Sequence, residues 1–161
     1  MVHRLASWAA LALVAVLAAC SAPAAAAGGP LYSVAAYDPA RDAAADLAAT
    51  LERARAEDKR VILEVGGEWC VWCKLLDAYV HDTPGYSARL AREFIIMKVN
   101  YSDENENADF LSAYPPAEGY PFMIILSSDG QVVGKQNTGE LEKGRGYDDQ
   151  KMLAFIKQWR A

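Results

Sequence analysis

Two cysteines three positions apart, Cys70 and Cys73, constrain this chain more than any other feature. They follow the apolar segment 61–65, which is typical of a buried strand, after a short turn. A helical pattern follows, so the order is strand, turn, dithiol, helix. A cysteine at the start of a helix lies beside unpaired backbone N–H groups and the positive end of the helix dipole, which favour its thiolate. Cys70 is therefore the expected nucleophile, acidic and accessible, and Cys73, one turn further on, is the more shielded resolving thiol.

A structural disulfide and a metal site are the alternatives for this cysteine pair. A crosslink that closes so short a loop restrains the unfolded chain weakly, by roughly 2 kcal/mol, compared with about 3 kcal/mol for a fifteen-residue loop. A closed zinc site needs four nitrogen or sulfur ligands, and outside the pair the chain offers only His3, His81 and Cys20. Redox chemistry is the preferred interpretation, and we expect neither a metal nor another cofactor.

The first part of the chain has the pattern of an export signal. A basic start that includes Arg4 is followed by an apolar run over 5–19, which is too short for a comfortable membrane span. The run ends in Leu-Ala-Ala-Cys, which resembles the bacterial lipobox, so residues 1–19 are expected to be a lipoprotein signal peptide and Cys20 the lipidation site. The alternative is an ordinary signal peptide cut within 22–27, which would discard Cys20.

The rest of the chain is expected to form a tether and one domain. Residues 20–30 hold no side chain that could anchor a core, which indicates a flexible tether. Residues 31–161 are long enough for one domain with a substantial core. The formal net charge is −5, and about −6 without residues 1–19, with no basic cluster. This balance argues against nucleic acid as a partner and against charge-driven binding to anionic lipid.

Hydrophobic periodicity predicts alternating helices and strands over the domain. Helices are expected over 42–59, 70–81, 86–92, 105–114 and 148–159. Strands are expected over 61–65, 94–99, 121–126 and 131–135, with a hairpin turn at 127–130. The segment 138–147 is expected to be a solvated loop, with a partner contact as the alternative. This order predicts an α/β fold, a mixed central sheet with helices on both faces and a functional site at the carboxyl ends of its strands.

The chain resembles the thioredoxin superfamily, and in particular its exported bacterial members. The resemblance rests on Trp69-Cys70-Val71-Trp72-Cys73-Lys74, on Gly119-Tyr120-Pro121-Phe122 ahead of an apolar strand, and on the order of elements from about 42 to 160. It implies a thioredoxin fold and thiol:disulfide oxidoreductase activity. Thioredoxin itself has Gly-Pro where this chain has Val71-Trp72, so the direction of electron flow cannot be carried over.

The resemblance also implies a substrate-binding surface beside the dithiol. Pro121 matches the family's cis-proline, next to which the backbone of Tyr120 pairs with an extended substrate segment. The alternative is a trans proline at the start of an edge strand. Trp69 and Trp72 are expected to contribute to the same surface, and the alternative for Trp69 is that it fills the core.

Glu64 matches the family's buried acid behind the dithiol. A carboxylate in an apolar strand loses hydration, so its pKa should rise, and it could take the proton of Cys73 through water. The alternative is a solvent-facing glutamate on an edge strand.

The expected function is therefore a thiol:disulfide oxidoreductase of the bacterial cell envelope that reduces exported proteins through its Cys-Val-Trp-Cys dithiol. The expected location is the periplasm, with a lipid anchor at Cys20 and the outer membrane favoured over the inner one. Its partners would be disulfide-containing client proteins and a membrane thiol reductase or oxidase that resets the dithiol. The alternatives are a thioredoxin-like binding module whose dithiol is a switch and, more weakly, a metallochaperone.

Overall fold

The computed structural model describes residues 29–161. The expected signal peptide, the expected lipidation site Cys20 and all of the expected tether except Gly29 and Pro30 lie outside the described residues. The strands are β1 (Tyr32–Val34), β2 (Arg60–Gly66), β3 (Phe94–Asn100), β4 (Phe122–Leu126), β5 (Val132–Asn137), β6 (Glu142–Lys143) and β7 (Gly146–Tyr147). The helices are α1 (Ala43–Glu57), α2 (Val71–Asp82), α3 (Tyr86–Glu93), α4 (Ala108–Leu111) and α5 (Asp149–Trp159), with a 3-10 turn at Thr138–Leu141. Within 29–161, no helix has both the length and the apolar character needed to cross a membrane.

Five strands form one mixed sheet in the order β1-β3-β2-β4-β5. β1 and β2 run parallel to β3, whereas β4 runs antiparallel to β2 and β5 antiparallel to β4. β2 is therefore the central strand, and every residue from Val61 to Gly66 is buried. A strand with a neighbour on each side and helices on both faces is apolar along most of its length, which explains the apolar run that only Glu64 interrupts.

Alternate residues of β2 face two separate cores. Ile62 packs in one core with Leu76 of α2 and Phe155 of α5, and α3 also contributes to that core. Leu63 packs in the other core with Ala54 of α1, and α4 lies against the same side. Helices thus cover both faces, which confirms the expected α/β architecture.

Two helices begin at aspartates that accept backbone hydrogen bonds. The carboxylate of Asp42 accepts bonds from the N–H groups at the start of α1, and that of Asp148 does the same for α5. Such caps satisfy N–H groups that have no partner inside the helix. Both starting points follow from the sequence pattern.

The helix expected over 105–114 is mostly absent, since α4 comprises only Ala108–Leu111. Asn107, just before it, has φ 48°. A residue in this left-handed conformation cannot lie inside a right-handed helix. The side chain of Asn105 accepts a hydrogen bond from the N–H of Asn107 at 2.8 Å, so the expected first turn is a loop.

The segment 138–147 is not the solvated loop that its composition predicts. It forms the 3-10 turn and then the short hairpin of β6 and β7, in which Glu142 pairs with Tyr147. Leu141 and Tyr147 are buried in the core beside α2. β1 has no counterpart in the sequence prediction, because three residues are too few to show a period.

Candidate active site

Cys70 and Cys73 form a disulfide at the N-terminal end of α2, with their Cα atoms 5.3 Å apart. Cys70 is the N-cap of the helix, and its sulfur accepts a hydrogen bond from the backbone N–H of Cys73 at 3.1 Å. Free N–H groups and the helix dipole stabilise negative charge at this position. Once the disulfide is reduced, the same geometry favours a thiolate on Cys70.

Both cysteines are buried in this oxidised state. Cys70 is 3% exposed and Cys73 1%, so the expected difference between an accessible and a shielded thiol is small here. The reason is that Tyr37 packs with the pair while Trp72 and Tyr120 cover it. Aromatic side chains therefore cover the disulfide in this state.

An aromatic rim, defined as Trp69, Tyr101 and Tyr120, lies beside the disulfide. The indole N–H of Trp69 donates to the carbonyl of Tyr101 at 2.7 Å, and its ring meets that of Tyr120 edge-on with 5.5 Å between centroids. Tyr120 in turn stacks on Tyr101 at 5.0 Å. Trp69 is 55% exposed, so the alternative that it fills the core is wrong.

The aromatic rim borders an open cleft of about 450 Å³, whose lining includes acidic side chains. Trp69 and Tyr101 form the aromatic part of the lining. The remaining lining residues are Ser102, Asp103, Glu104 and Glu106. This side of the disulfide is therefore aromatic close to the sulfurs and negatively charged further out.

Pro121 is buried and immediately precedes β4, and the peptide bond that joins it to Tyr120 is cis, as the resemblance implies. The carbonyl of Pro121 accepts a hydrogen bond of 2.6 Å from the hydroxyl of Thr138. Thr138 is 2% exposed and lies in the segment that the sequence predicts to be a loop. Sequence reasoning missed it, because nothing in the local pattern connects it to the proline.

Trp72 lies on the far side of the pair from the aromatic rim. Its ring meets Tyr147 edge-on at 6.0 Å, and its carbonyl accepts a hydrogen bond from the Tyr147 hydroxyl at 3.4 Å. The side chain is half-buried against both the cysteines and the core beside α2. The structure thus brings all four expected substrate-binding residues near the disulfide but distributes them over two sides.

Glu64 lies in the middle of the central strand and is 1% exposed, so the alternative of a solvent-facing glutamate on an edge strand is wrong. Its Oε1 accepts a hydrogen bond from the hydroxyl of Tyr37 at 2.6 Å. Burial raises the pKa of Glu64 from its ordinary value of 4.5 to about 7, while the Lys98 ammonium and the Tyr37 hydrogen bond act in the opposite direction. Lys98 is opposite Glu64 on β3 and forms an ion pair with Asp77 of α2.

Tyr37, in the connection between β1 and α1, is a site residue that sequence reasoning missed. It is 5% exposed, and its ring lies 4.8 Å from the Lys98 ammonium, a cation–π distance. Its hydroxyl and the Cys73 sulfur both lie against Gly66, because a Cβ at that glycine would be 2.9 Å from the oxygen and 2.5 Å from the sulfur. Glu64, Tyr37 and Cys73 therefore form one contiguous group beneath the disulfide.

Gly66→Ala is expected to lower the free energy of unfolding by about 2 kcal/mol, because the new methyl group overlaps two atoms of a packed core. Gly146→Ala in β7 is the matched control, since a Cβ there meets no atom within 4 Å. Urea unfolding of the two oxidised variants measures the difference. Equal stability of both variants would contradict the close packing at Gly66.

Across residues 29–161, no group of three or more His, Cys, Asp or Glu side chains is placed to hold an ion.

A family model described as thioredoxin-like matches residues 42–128. The thiol:disulfide interchange protein DsbD of Pseudomonas fluorescens is 28% identical over 137 residues, which are 82% of this chain and 22% of that protein. The chain thus spans about a fifth of the length of that curated relative.

Two solved structures are similar to the structure of this chain. A disulphide isomerase from Xylella fastidiosa Temecula1 has a TM-score of 0.65 and 27% identity, covering 76% of this chain and 94% of that one. The oxidised C-terminal domain of Neisseria meningitidis DsbD has a TM-score of 0.58 and 23% identity, covering 78% and 100%, and shows the fold. The observed α/β architecture is therefore the thioredoxin fold, and the chain belongs to the thioredoxin-like family.

Proposed function

We propose that this protein is a thiol:disulfide oxidoreductase that exchanges its Cys70–Cys73 disulfide with disulfides of other proteins. The observation that carries the proposal is the disulfide at the helix N-terminus, covered by aromatic side chains and placed above the buried carboxylate of Glu64. The printed names of two relatives, a thiol:disulfide interchange protein and a disulphide isomerase, support the same chemistry.

The reaction in the reducing direction starts from the reduced pair. The Cys70 thiolate attacks one sulfur of a partner disulfide, a bond forms between them, and the second partner sulfur leaves as a thiolate. Cys73 then gives its proton to Glu64 and attacks Cys70, which releases the first partner sulfur and forms the Cys70–Cys73 disulfide. Two electrons pass to the partner, and an external reductant must restore the dithiol.

The partner segment is proposed to dock across the aromatic rim. An extended chain would pair with the backbone of Tyr120 beside Pro121, while the exposed ring of Trp69 supplies apolar contact area next to the sulfurs. Trp72 would support the cysteine pair from the opposite side through its contact with Tyr147. In this arrangement the partner disulfide would meet Cys70, the proposed nucleophile, rather than Cys73.

The proposed location is the periplasm, with attachment to a membrane through lipid on Cys20 and the outer membrane favoured. The support is the export pattern of the sequence together with the similarity to DsbD. Gly29 and Pro30 bond to Glu57 and Arg53 near the end of α1, which is the end of the sheet opposite Cys70. A tether attached at that end would leave the disulfide end of the domain free to meet exported clients and a membrane thiol reductase or oxidase.

Insulin reduction by dithiothreitol tests the proposed activity. The wild-type protein should accelerate it severalfold at micromolar concentration, whereas protein whose two thiols have been alkylated should not. Absence of acceleration together with failure to exchange with glutathione would contradict the proposal. If client proteins were still captured in that case, the binding-module alternative would be supported.

A further inference from the structure

We propose that Tyr37 connects Glu64 to the Cys73 sulfur and passes the proton of the resolving thiol between them. This inference rests on the proposed function, because it concerns the step in which Cys73 resolves the mixed disulfide. In this scheme the side chain of Tyr37, rather than a bridging water molecule, carries the proton from Cys73 to Glu64.

The geometry of three side chains carries the inference. The Tyr37 hydroxyl already donates to Glu64 Oε1 at 2.6 Å. A Cβ at Gly66 would lie 2.9 Å from the same hydroxyl and 2.5 Å from the Cys73 sulfur, which limits the separation of these two atoms to at most about 5.4 Å. A phenol oxygen can accept one hydrogen bond while it donates another. Tyr37 is therefore placed to accept from the Cys73 thiol while it donates to the carboxylate.

Charged and titratable groups from four other elements face Glu64. They are Lys98 of β3, Asp77 of α2, Tyr32 of β1 and Tyr147 of β7. The Lys98 ammonium favours the ionised carboxylate and Asp77 disfavours it, but burial is the larger influence. Because the resulting pKa of Glu64 is about 7, the carboxylate can accept a proton near neutral pH.

The phenol itself should not become a stable anion. Burial, with the Glu64 carboxylate next in importance, raises the pKa of Tyr37 far above its ordinary value. A stepwise transfer through a tyrosinate is therefore disfavoured. The hydroxyl must release its own proton to Glu64 as it receives the proton from sulfur.

The proposed step balances as follows. The S–H bond of Cys73 breaks and its proton moves to the Tyr37 oxygen, while the proton of that hydroxyl moves to Glu64 Oε1. The Cys73 thiolate attacks Cys70, a sulfur–sulfur bond forms between them, and the bond from Cys70 to the partner sulfur breaks. The electron pair of that bond leaves on the partner thiolate, which takes a proton from solvent.

Tyr37→Phe tests the proposal, because it keeps the packed ring and removes only the hydroxyl. Mixing the reduced protein with 5,5′-dithiobis(2-nitrobenzoate) releases one coloured thiolate when Cys70 attacks and a second when Cys73 resolves. We expect the first phase to stay within about twofold of the wild type and the second to slow about tenfold or more near neutral pH. The wild-type second phase should rise with pH through about 7, and the variant should lose that inflection.

Tyr86→Phe is the matched control, since it also removes a buried hydroxyl, one that bonds to the Met152 carbonyl at 3.2 Å. It should leave both phases unchanged. The double variant Tyr37→Phe/Glu64→Gln should resolve no more slowly than Glu64→Gln alone, because both changes interrupt one proton path. Equal slowing of both phases in Tyr37→Phe, or multiplied effects in the double variant, would assign Tyr37 a merely structural role and overturn the inference.

Two further outcomes separate this inference from the proposed function. A wild-type protein that exchanges with the reagent in two phases, together with a Tyr37→Phe variant that keeps the wild-type second phase and its pH profile, would overturn the role of Tyr37 alone. A wild-type protein that releases both thiolates no faster than free cysteine would overturn the proposed function and, with it, the resolution step assigned to Tyr37.

Discussion

Cys70→Ser is expected to reduce insulin turnover by about a thousandfold or more, because a serine hydroxyl is not ionised near neutral pH and does not attack disulfides. The substitution should leave the fold intact. Serine is a good N-cap residue, so its oxygen can accept the bond that the Cys70 sulfur now accepts from the N–H of Cys73. Urea unfolding of the variant and of the reduced wild type checks that the loss is chemical.

Cys73→Ala is expected to fail at a different point of the same reaction. Cys70 remains free to attack, but no thiol is left to release the partner, so a mixed disulfide should accumulate. The trapped species is measured on non-reducing gels with a disulfide-containing client, and Cys70→Ser/Cys73→Ala is the control that should trap nothing. Accumulation with Cys70→Ser instead would reverse the proposed roles of the two cysteines.

Glu64→Gln is expected to stabilise the oxidised protein relative to the wild type as the pH rises. The pKa of Glu64 is about 7 in the folded protein and near 4.5 when unfolded, so the folded state binds the extra proton between these values. In the wild type, the contribution of Glu64 protonation to the free energy of unfolding is fully present below about pH 4.5 and is lost as the pH rises through 7. Because glutamine carries no charge, the free energy of unfolding of Glu64→Gln relative to that of the wild type should increase by up to about 3 kcal/mol between pH 5 and pH 8.

Glu57→Gln is the matched control, since the pKa of the Glu57 carboxylate is lowered whereas that of Glu64 is raised. Its hydrogen bond from Arg53 lowers the pKa of Glu57 to about 2, so its contribution is present above about pH 4.5 and is lost only in acid. Urea unfolding of the oxidised proteins at both pH values gives the two differences. The difference in free energy of unfolding between Glu57→Gln and the wild type should be the same at pH 5 and pH 8. If the difference for Glu64→Gln were also the same at both pH values, the burial of an ionisable Glu64 would be contradicted.

The cost of burying Glu64 bears on its role. Glutamine has nearly the same size and shape as glutamate, and we expect the Glu64→Gln protein to be more stable above neutral pH. Stability alone therefore does not explain an acid at this position. The proton transfer proposed for the resolution step would explain it, because an acid with a pKa near ambient pH can accept the Cys73 proton and release it again.

Local signals were sufficient for the parts of the molecule that local physics determines. The apolar run of β2, the capping aspartates of α1 and α5 and the two cysteines at the start of α2 were all predictable from the sequence, because each depends on residues within a few positions of one another. The same signals failed at α4, where the left-handed conformation of Asn107 outweighed the helical pattern.

The sequence alone determined the cysteine pair, its place after a strand and its position at a helix N-terminus. Only the tertiary structure decided what surrounds the pair. The bond from Tyr37 to Glu64 joins residues 27 positions apart, and the bond from Thr138 to Pro121 joins residues 17 positions apart. No periodicity encodes such contacts, because they depend on the order of strands in the sheet. That order also makes β2 the central strand, and helices on both faces of the sheet bury Glu64. The sequence pattern could not show this, because a strand with two apolar faces has no alternation that indicates which way a side chain points.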